Sequence, residues 1–208
     1  FGTENSDYAK SISNLALLYF TVGRYEQAED IFLEALRIQL KTKGEEHPEY
    51  TATLNNLALL YDVMGRLVEA DSLFIRTLEL YKKKFGEEHP FYATTLDNLA
   101  KLYRKMGKYD KSEEMFLRAK EIRFKITGSN HPNYAKTLFN LAELYSQLGK
   151  YAEAEKLFKD ALEIRKNLLG ADHPDYAKGL SGMAVLYKRM HKYDEAEPYY
   201  NQAMENYI

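Results

Sequence analysis

The sequence predicts an all-α protein, a solenoid of about ten helices paired as helix-turn-helix repeats, and three periodicities carry that prediction. The dipeptide His-Pro stands at His47, His89, His131 and His173, with a spacing of 42 residues each time. Glycine recurs twice as often: Gly2, Gly23, Gly44, Gly65, Gly86, Gly107, Gly128, Gly149 and Gly170 fall every 21 residues. Between glycines the apolar residues keep helical spacing, with Leu54, Leu57, Ala58, Tyr61 and Met64 on one stripe and Leu67, Ala70, Leu73, Phe74 and Leu78 on the next. No segment alternates apolar and polar residues as a half-buried strand would.

Each element follows from these marks. Glycine ends a helix without steric penalty in the left-handed conformation, so the 21-residue period cuts the chain into helices of about 17 residues joined by short turns. A tenth stop falls due at position 191, where His191 is expected to take the left-handed conformation itself. Pro48, Pro90, Pro132 and Pro174 open the first helix of each pair, where the missing N–H has no partner to lose. Acidic pairs just before them, Glu45-Glu46 and Glu87-Glu88, suit a helix N-terminus. The first repeat has Asn5-Ser6 in place of His-Pro. The resulting division is a tail of a preceding repeat at 1–4, then repeats at 5–46, 47–88, 89–130, 131–172 and a truncated one at 173–208, read as one continuous domain. Tyr199, Tyr200, Met204 and Tyr207 then lie on a face with no following helix, and self-association through this uncapped C-terminal face is expected, the chain reading as a segment of a longer array.

The repeats resemble the tetratricopeptide family. Leu54, Leu57, Ala58, Tyr61, Gly65, Leu67, Ala70, Phe74 and Thr77 reproduce its order of large, small and aromatic positions, as do Leu138, Leu141, Ala142, Tyr145, Gly149, Tyr151, Ala154, Phe158 and Ala161. The family's usual period is about 34 residues, and eight more amount to one extra turn on each helix. This long form is similar to the repeats of kinesin light chains and of many bacterial multidomain regulators. The resemblance implies a right-handed solenoid, a protein-interaction role and a cytoplasmic setting.

Composition removes several classes of function. With 45% hydrophobic and 29% charged residues the chain is that of a folded, water-exposed protein, and no run approaches the length of a membrane span. Zero cysteine excludes disulfides, thiolate metal sites and cysteine nucleophiles. The net charge of −2 is not that of a nucleic-acid binder. The four His of His-Pro recur at the spacing of packed repeats, too far apart to share a metal ion, so they read as turn and helix-entry residues; no metal and no cofactor is expected. Fourteen of the 18 tyrosines recur in step with the core stripe, at Tyr8, Tyr50, Tyr92, Tyr134 and Tyr176, at Tyr19, Tyr61, Tyr103, Tyr145 and Tyr187, and at Tyr25, Tyr109, Tyr151 and Tyr193. They read as inter-helix packing whose hydroxyls find polar partners. No phosphate loop and no nucleophile-base constellation is present, so no catalytic residue is assigned.

One stripe remains. On the first helix of each pair Asn14, Asn56, Asn98 and Asn140 recur every 42 residues, until Gly182 breaks the series. By the resemblance this stripe lines a concave groove, at the positions of Ala52, Asn55, Asn56, Leu59, Asp62 and Val63 in the second repeat. An amide offers a donor and an acceptor, so a row of them can hold the backbone of an extended peptide; an equally repetitive structural role, linking helices, is the alternative. Over five repeats the stripe carries Lys10, Lys101, Arg104, Lys105, Lys136, Lys178, Lys188 and Arg189 against Asp62, Asp97 and Glu143, a net +5 that leaves −7 for the rest of the chain. Such segregation steers acidic ligands. The expected centre is the third repeat, at Asn98, Lys101, Arg104 and Lys105, flanked by Lys136 and Asn140, while Leu17, Phe20, Leu59 and Val63 form an apolar wall. The kinesin-light-chain resemblance implies the same logic, an aromatic anchor among acidic residues. The sequence thus predicts a scaffold that captures an acidic peptide. Its rivals are a regulatory or sensor array of a larger enzyme or signalling NTPase, and a purely architectural array.

Overall fold

A computed structural model describes residues 5–206. The proposed repeat tail at 1–4, Gly2 of the glycine series and Tyr207 lie outside them. Ten helices are present among the described residues, and the chain divides into two compact units, Phe1–Met106 and Gly107–Ile208, the division falling at the turn inside the third repeat.

Unit 1 holds α1 (Ser6–Thr21), α2 (Tyr25–Lys43), α3 (Pro48–Val63), α4 (Leu67–Phe85) and α5 (Pro90–Lys105). Unit 2 holds α6 (Tyr109–Thr127), α7 (Pro132–Gln147), α8 (Tyr151–Leu169), α9 (Pro174–Arg189) and α10 (Tyr193–Glu205). First helices have 16 residues and complete second helices 19.

The helix stops fall where the periodicity places them. Gly44 ends α2 at φ 79°, and His191 holds φ 59°, the one non-glycine residue with positive φ among those described. The His-Pro pairs act through both residues. Proline takes the first helical position, and His47, His89, His131 and His173 are the N-caps, each ring Nδ1 accepting from the backbone N–H two residues on, at 3.3, 3.2, 3.1 and 3.1 Å. That bond needs the lone pair of Nδ1, so the ring proton sits on Nε2. In α1 the Asn5 side chain does the same work by accepting from the Tyr8 N–H at 2.7 Å.

Each core is built from the predicted stripes. In unit 1, Phe32 and Phe74 are fully buried, as are Ala16, Ala28, Ala58 and Ala70, small residues that let paired helices approach closely. In unit 2, Phe116, Phe158, Leu141, Leu144, Leu180 and Met183 fill the same role.

Candidate functional site

In unit 1, α3 and α5 bury the Leu-Leu-Ala-Tyr stripe, and α1 and α3 turn the candidate stripe outward. On α3, Ala52 and Val63 are exposed and Asn55, Asn56, Leu59 and Asp62 half-buried, whereas Leu54, Leu57, Ala58 and Tyr61 are buried. On α1, Lys10, Asn14 and Leu17 are exposed and Phe20 half-buried. On α5 the stripe sinks: Lys105 is exposed and Lys101 and Arg104 half-buried, but Asn98 is buried and Asp97 is 2% exposed. Lys105 Nζ donates to the Asp62 carboxylate at 3.0 Å and to the Asp62 carbonyl at 2.6 Å, so a cation and an acid of the stripe are paired within the unit. Beneath the stripe, Gln39 donates to Ser13 at 3.3 Å and Ser13 shares a 3.2 Å bond with Thr53, joining α2, α1 and α3.

In unit 2 the stripe runs along α7 and α9. Lys136, Lys178, Lys188 and Arg189 are exposed, with Glu143 the one acid among these stripe positions. Arg189 Nη1 also reaches the Ser146 carbonyl at 3.4 Å. Asn140 is buried, and its Nδ2 has no hydrogen-bond partner among the described residues. Phe139 stands where α1 and α3 carry Ser13 and Asn55. Its ring meets Phe158 edge-on at 5.3 Å between centroids, with the Arg165 guanidinium at 4.7 Å and Lys178 Nζ at 5.7 Å from the centroid. This ring explains the break in the asparagine series. A Cβ at Gly182 would stand 2.7 Å from Phe139 and 2.8 Å from Phe158, so no side chain fits there.

The structure thus gathers Asn14, Asn56, Asn98, Lys101, Arg104 and Lys105 on the first helices of unit 1, and Lys136, Asn140, Lys178, Lys188 and Arg189 on those of unit 2. Of the four asparagines, Asn14 and Asn56 are open to a ligand and Asn98 and Asn140 lie beneath the surface.

Three tyrosine hydroxyls of one 42-residue series find carboxylate partners. Tyr61 donates to Glu29 at 2.8 Å, Tyr145 to Glu113 at 2.7 Å and Tyr187 to Glu155 at 2.9 Å, in each case from a first helix to the second helix of the preceding pair. A cation just past the glycine stop completes two of these joints. Arg66 binds Glu29 at 2.6 Å and lies 3.8 Å from the Tyr61 centroid, and Lys150 binds Glu113 at 3.2 Å over the Tyr145 ring. Burial, then the bond to Glu29, pushes the Tyr61 hydroxyl up to about 12, and Tyr145 and Tyr187 are raised further for the same reasons. The acid of this joint went unread in the sequence, although Glu29, Asp71, Glu113, Glu155 and Glu197 keep the 42-residue period.

Two buried arginines were also missed. Arg123 donates to the Asn133 carbonyl and to Thr137, and Arg165 to the Asp175 carbonyl at 2.8 Å, so α6 and α8 tie down the start of α7 and α9 respectively. Burial lowers the Arg165 pKa, since a charged guanidinium is poorly solvated there. Away from the cationic stripe, a cleft of about 330 Å³ opens between α7 and α8, lined by Tyr134, Leu138, Asp160 and Glu163 among others. No described helix is long and apolar enough to cross a membrane.

Comparison with known proteins agrees with this architecture. The sequence matches the tetratricopeptide repeat family over residues 7–70, 63–123, 102–167 and 146–208. The chain belongs to the tetratricopeptide repeat family, and the all-α solenoid class expected from its periods is the class it has. Among solved structures it is similar to BtubC (BKLC) from P. vanneervenii, at 27% identity and a TM-score of 0.82 over 96% of this chain and 80% of that one. It is also similar to a kinesin-light-chain-type protein of Podosopora anserina with nearly identical TPR-like repeats, at 25% identity and a TM-score of 0.80 over 99% of this chain and 96% of that one. A Rap protein complexed with Competence and Sporulation Factor shares the fold, at 17% identity and a TM-score of 0.80 over 94% of this chain and 52% of that one. No curated protein matches it in sequence. Repeats of this family generally mediate protein–protein interaction, and membership in it supports a protein-interaction scaffold.

Proposed function

We propose that the protein captures an extended acidic segment of a partner protein along the outward stripe that the first helices of each unit present. The observation that carries this is the cationic stripe of unit 2, where Lys136, Lys178, Lys188 and Arg189 are exposed on α7 and α9 against the single acid Glu143. In unit 1, Lys101, Arg104 and Lys105 are the corresponding charges, with part of the Lys105 charge already opposed by Asp62. Lysine and arginine heads bind carboxylates by charge-assisted hydrogen bonds, and an extended chain is the ligand that a stripe of helix faces accommodates. Asn14 and Asn56 hold the peptide backbone, whereas the buried Asn98 and Asn140 shape the floor beneath it. Leu17, Phe20, Leu59 and Val63 offer an aromatic anchor its contact. A second mode of association, through the C-terminal face, is supported by the exposure of Met204 and Tyr200 on α10. A cytoplasmic setting rests on the kinesin-light-chain resemblance alone.

The test is fluorescence-anisotropy titration against acidic, basic and neutral peptide pools, each with and without an aromatic residue. The expected result is selective binding of the acidic pools, weakened by about tenfold or more in Arg104→Glu and in Lys178→Glu/Arg189→Glu, since each reverses charge on the stripe. Equal binding of all pools, or affinity unchanged by both variants, removes the acidic-peptide reading.

A further inference from the structure

The cleft between α7 and α8 occupies a place that the second repeat fills with its own charges. Asp160, Glu163 and Asn167 on α8 correspond, two 42-residue periods earlier, to Arg76, Glu79 and Lys83 on α4. Ser129-Asn130, just before α7, correspond to Glu45-Glu46 before α3. In the second repeat the Arg76 guanidinium binds Glu45 at 2.6 Å and Glu79 at 3.1 Å, and Lys83 binds Glu46. In the third, Arg118 and Lys125 on α6 both bind Glu121, the equivalent of Glu163, at 2.9 and 3.1 Å. The fourth repeat keeps this acid and loses both cations. Asp160 puts a second carboxylate where the arginine stands, and Asn167 is neutral.

The resulting cleft, of about 330 Å³, is large enough for a ligand group. Buried Leu138 and half-buried Tyr134 and Ile164 supply its apolar wall, and half-buried Asp160 and exposed Glu163 its charge. Neither carboxylate takes part in a hydrogen bond or ion pair among the described residues. Burial, then the Asp160 charge, raises the Tyr134 hydroxyl, so the phenol and this carboxylate share one space. At the equivalent Tyr50 the Arg76 charge opposes the rise. The two sites match in their tyrosine and their retained acid and differ in the sign of the group between them.

We propose that this cleft is a binding site for an arginine side chain presented by a basic segment of a partner protein. The guanidinium bridges Asp160 and Glu163 as that of Arg76 bridges Glu45 and Glu79, and its methylene stem lies along Tyr134 and Ile164. Arginine suits the site better than lysine because a planar fork of donors spans two carboxylates and a point charge does not. Ser129, Asn130 and Glu163 are exposed, so a side chain can enter while the backbone that carries it stays outside. The site is opposite in sign to the stripe of α7 and α9 and stands independently of acidic-peptide capture.

The test is a two-dimensional NMR titration of the ¹⁵N-labelled whole chain with an end-blocked peptide, Gly-Ser-Arg-Ser-Gly. The comparison ligands are the same peptide with citrulline or lysine in place of arginine, and free argininamide. The arginine peptide is expected to shift the amides of Ser129, Tyr134, Asp160 and Glu163 saturably, and the uncharged citrulline peptide to leave them in place. The lysine peptide and argininamide should bind at least about threefold more weakly. Asp160→Asn should weaken arginine-peptide binding about tenfold. The double variant Ser129→Glu/Asp160→Arg rebuilds the second repeat's own network and should abolish binding, with a urea midpoint at or above that of the wild type. Glu153→Gln makes the same charge change on α8 outside the cleft and should leave binding unchanged. Absence of a saturable shift at the cleft overturns the proposal, as does equal binding of the citrulline peptide or an equal loss in Glu153→Gln. A lysine peptide that binds equally well overturns the choice of arginine, and argininamide that binds as tightly as the peptide overturns the choice of a protein segment. The affinity of Asp160→Asn for the acidic pools should match the wild type, so failure of either site is read separately from failure of the other.

Discussion

Tyr61 shows how much one residue type does at one recurring position. Its ring is buried, its hydroxyl donates to Glu29, and Arg66 covers its outer face while binding the same carboxylate. Tyr61→Phe keeps the ring and removes only the donor, and because Arg66 still satisfies Glu29 the expected loss is about 1 kcal/mol, read from the urea midpoint. The pH dependence has a definite sign. The folded Tyr61 hydroxyl titrates at about 12 against an ordinary 10.0, so the unfolded chain gives up the proton first. Its contribution is fully present below pH 10 and is lost as pH rises through about 12. The urea midpoint of the wild type should therefore fall across that window, and Tyr61→Phe should fall less steeply; identical slopes would exclude this tyrosine from the alkaline loss. At this scale the sequence was informative about position and silent about depth. The hydroxyl partner was foreseen in kind, and the left-handed His191 followed from a missing glycine in a strict period. Asparagine, by contrast, is the same letter at Asn14, exposed, and at Asn140, buried, and only the surrounding packing distinguishes them. The loss of Asn at position 182 was visible as a break, but its cause, the Phe139 ring, lies 43 residues earlier in the chain and becomes a neighbour only once α7 and α9 pack.

At the scale of the helix, the recurring signal His-Pro fixes where a first helix begins. Proline presets φ at the first helical position and histidine occupies the N-cap, accepting one of the four N–H groups that the helix leaves without an internal partner. For α7 the entry is secured from two sides, since Arg123 on α6 also binds the Asn133 carbonyl and the Thr137 hydroxyl in the first turns. Replacement of His131 by Ala removes the cap and should lower stability by about 1 kcal/mol, whereas His131→Asn should stay close to the wild type because asparagine already caps α1 through Asn5. Chemical denaturation of the two variants decides it. Equal loss in both would mean that the imidazole acts through packing rather than as an acceptor. Helix number, order and entry points were legible because glycine, proline and caps act locally. The unequal lengths of 16 and 19 residues were not, because they differ at both ends: a first helix starts four residues after a glycine and stops two before the next, whereas a second helix starts two after and stops one before, and no glycine marks a start.

At the scale of the whole chain the argument turns on charge. The chain carries −2 in all, yet its first-helix stripes hold four cations against two acids in unit 1 and four against one in unit 2, while the remaining residues sum to −7. Surface charges of this kind act over about 10 Å at 0.1 M salt and over about 3 Å at 1 M. They therefore raise the rate of encounter with an acidic segment more than they deepen the bound state. Apolar contacts with an aromatic anchor have the opposite character and are insensitive to salt over the same range. Stopped-flow binding of an acidic, aromatic-containing peptide should consequently lose about tenfold in association rate between low and high salt while its dissociation rate changes little. A neutral peptide bearing the same aromatic should bind weakly and with no such dependence. If the acidic peptide instead keeps its association rate at high salt, the lysines and arginines of α5, α7 and α9 are only a solvated surface, and recognition has to be sought on the apolar wall of Leu17, Phe20, Leu59 and Val63.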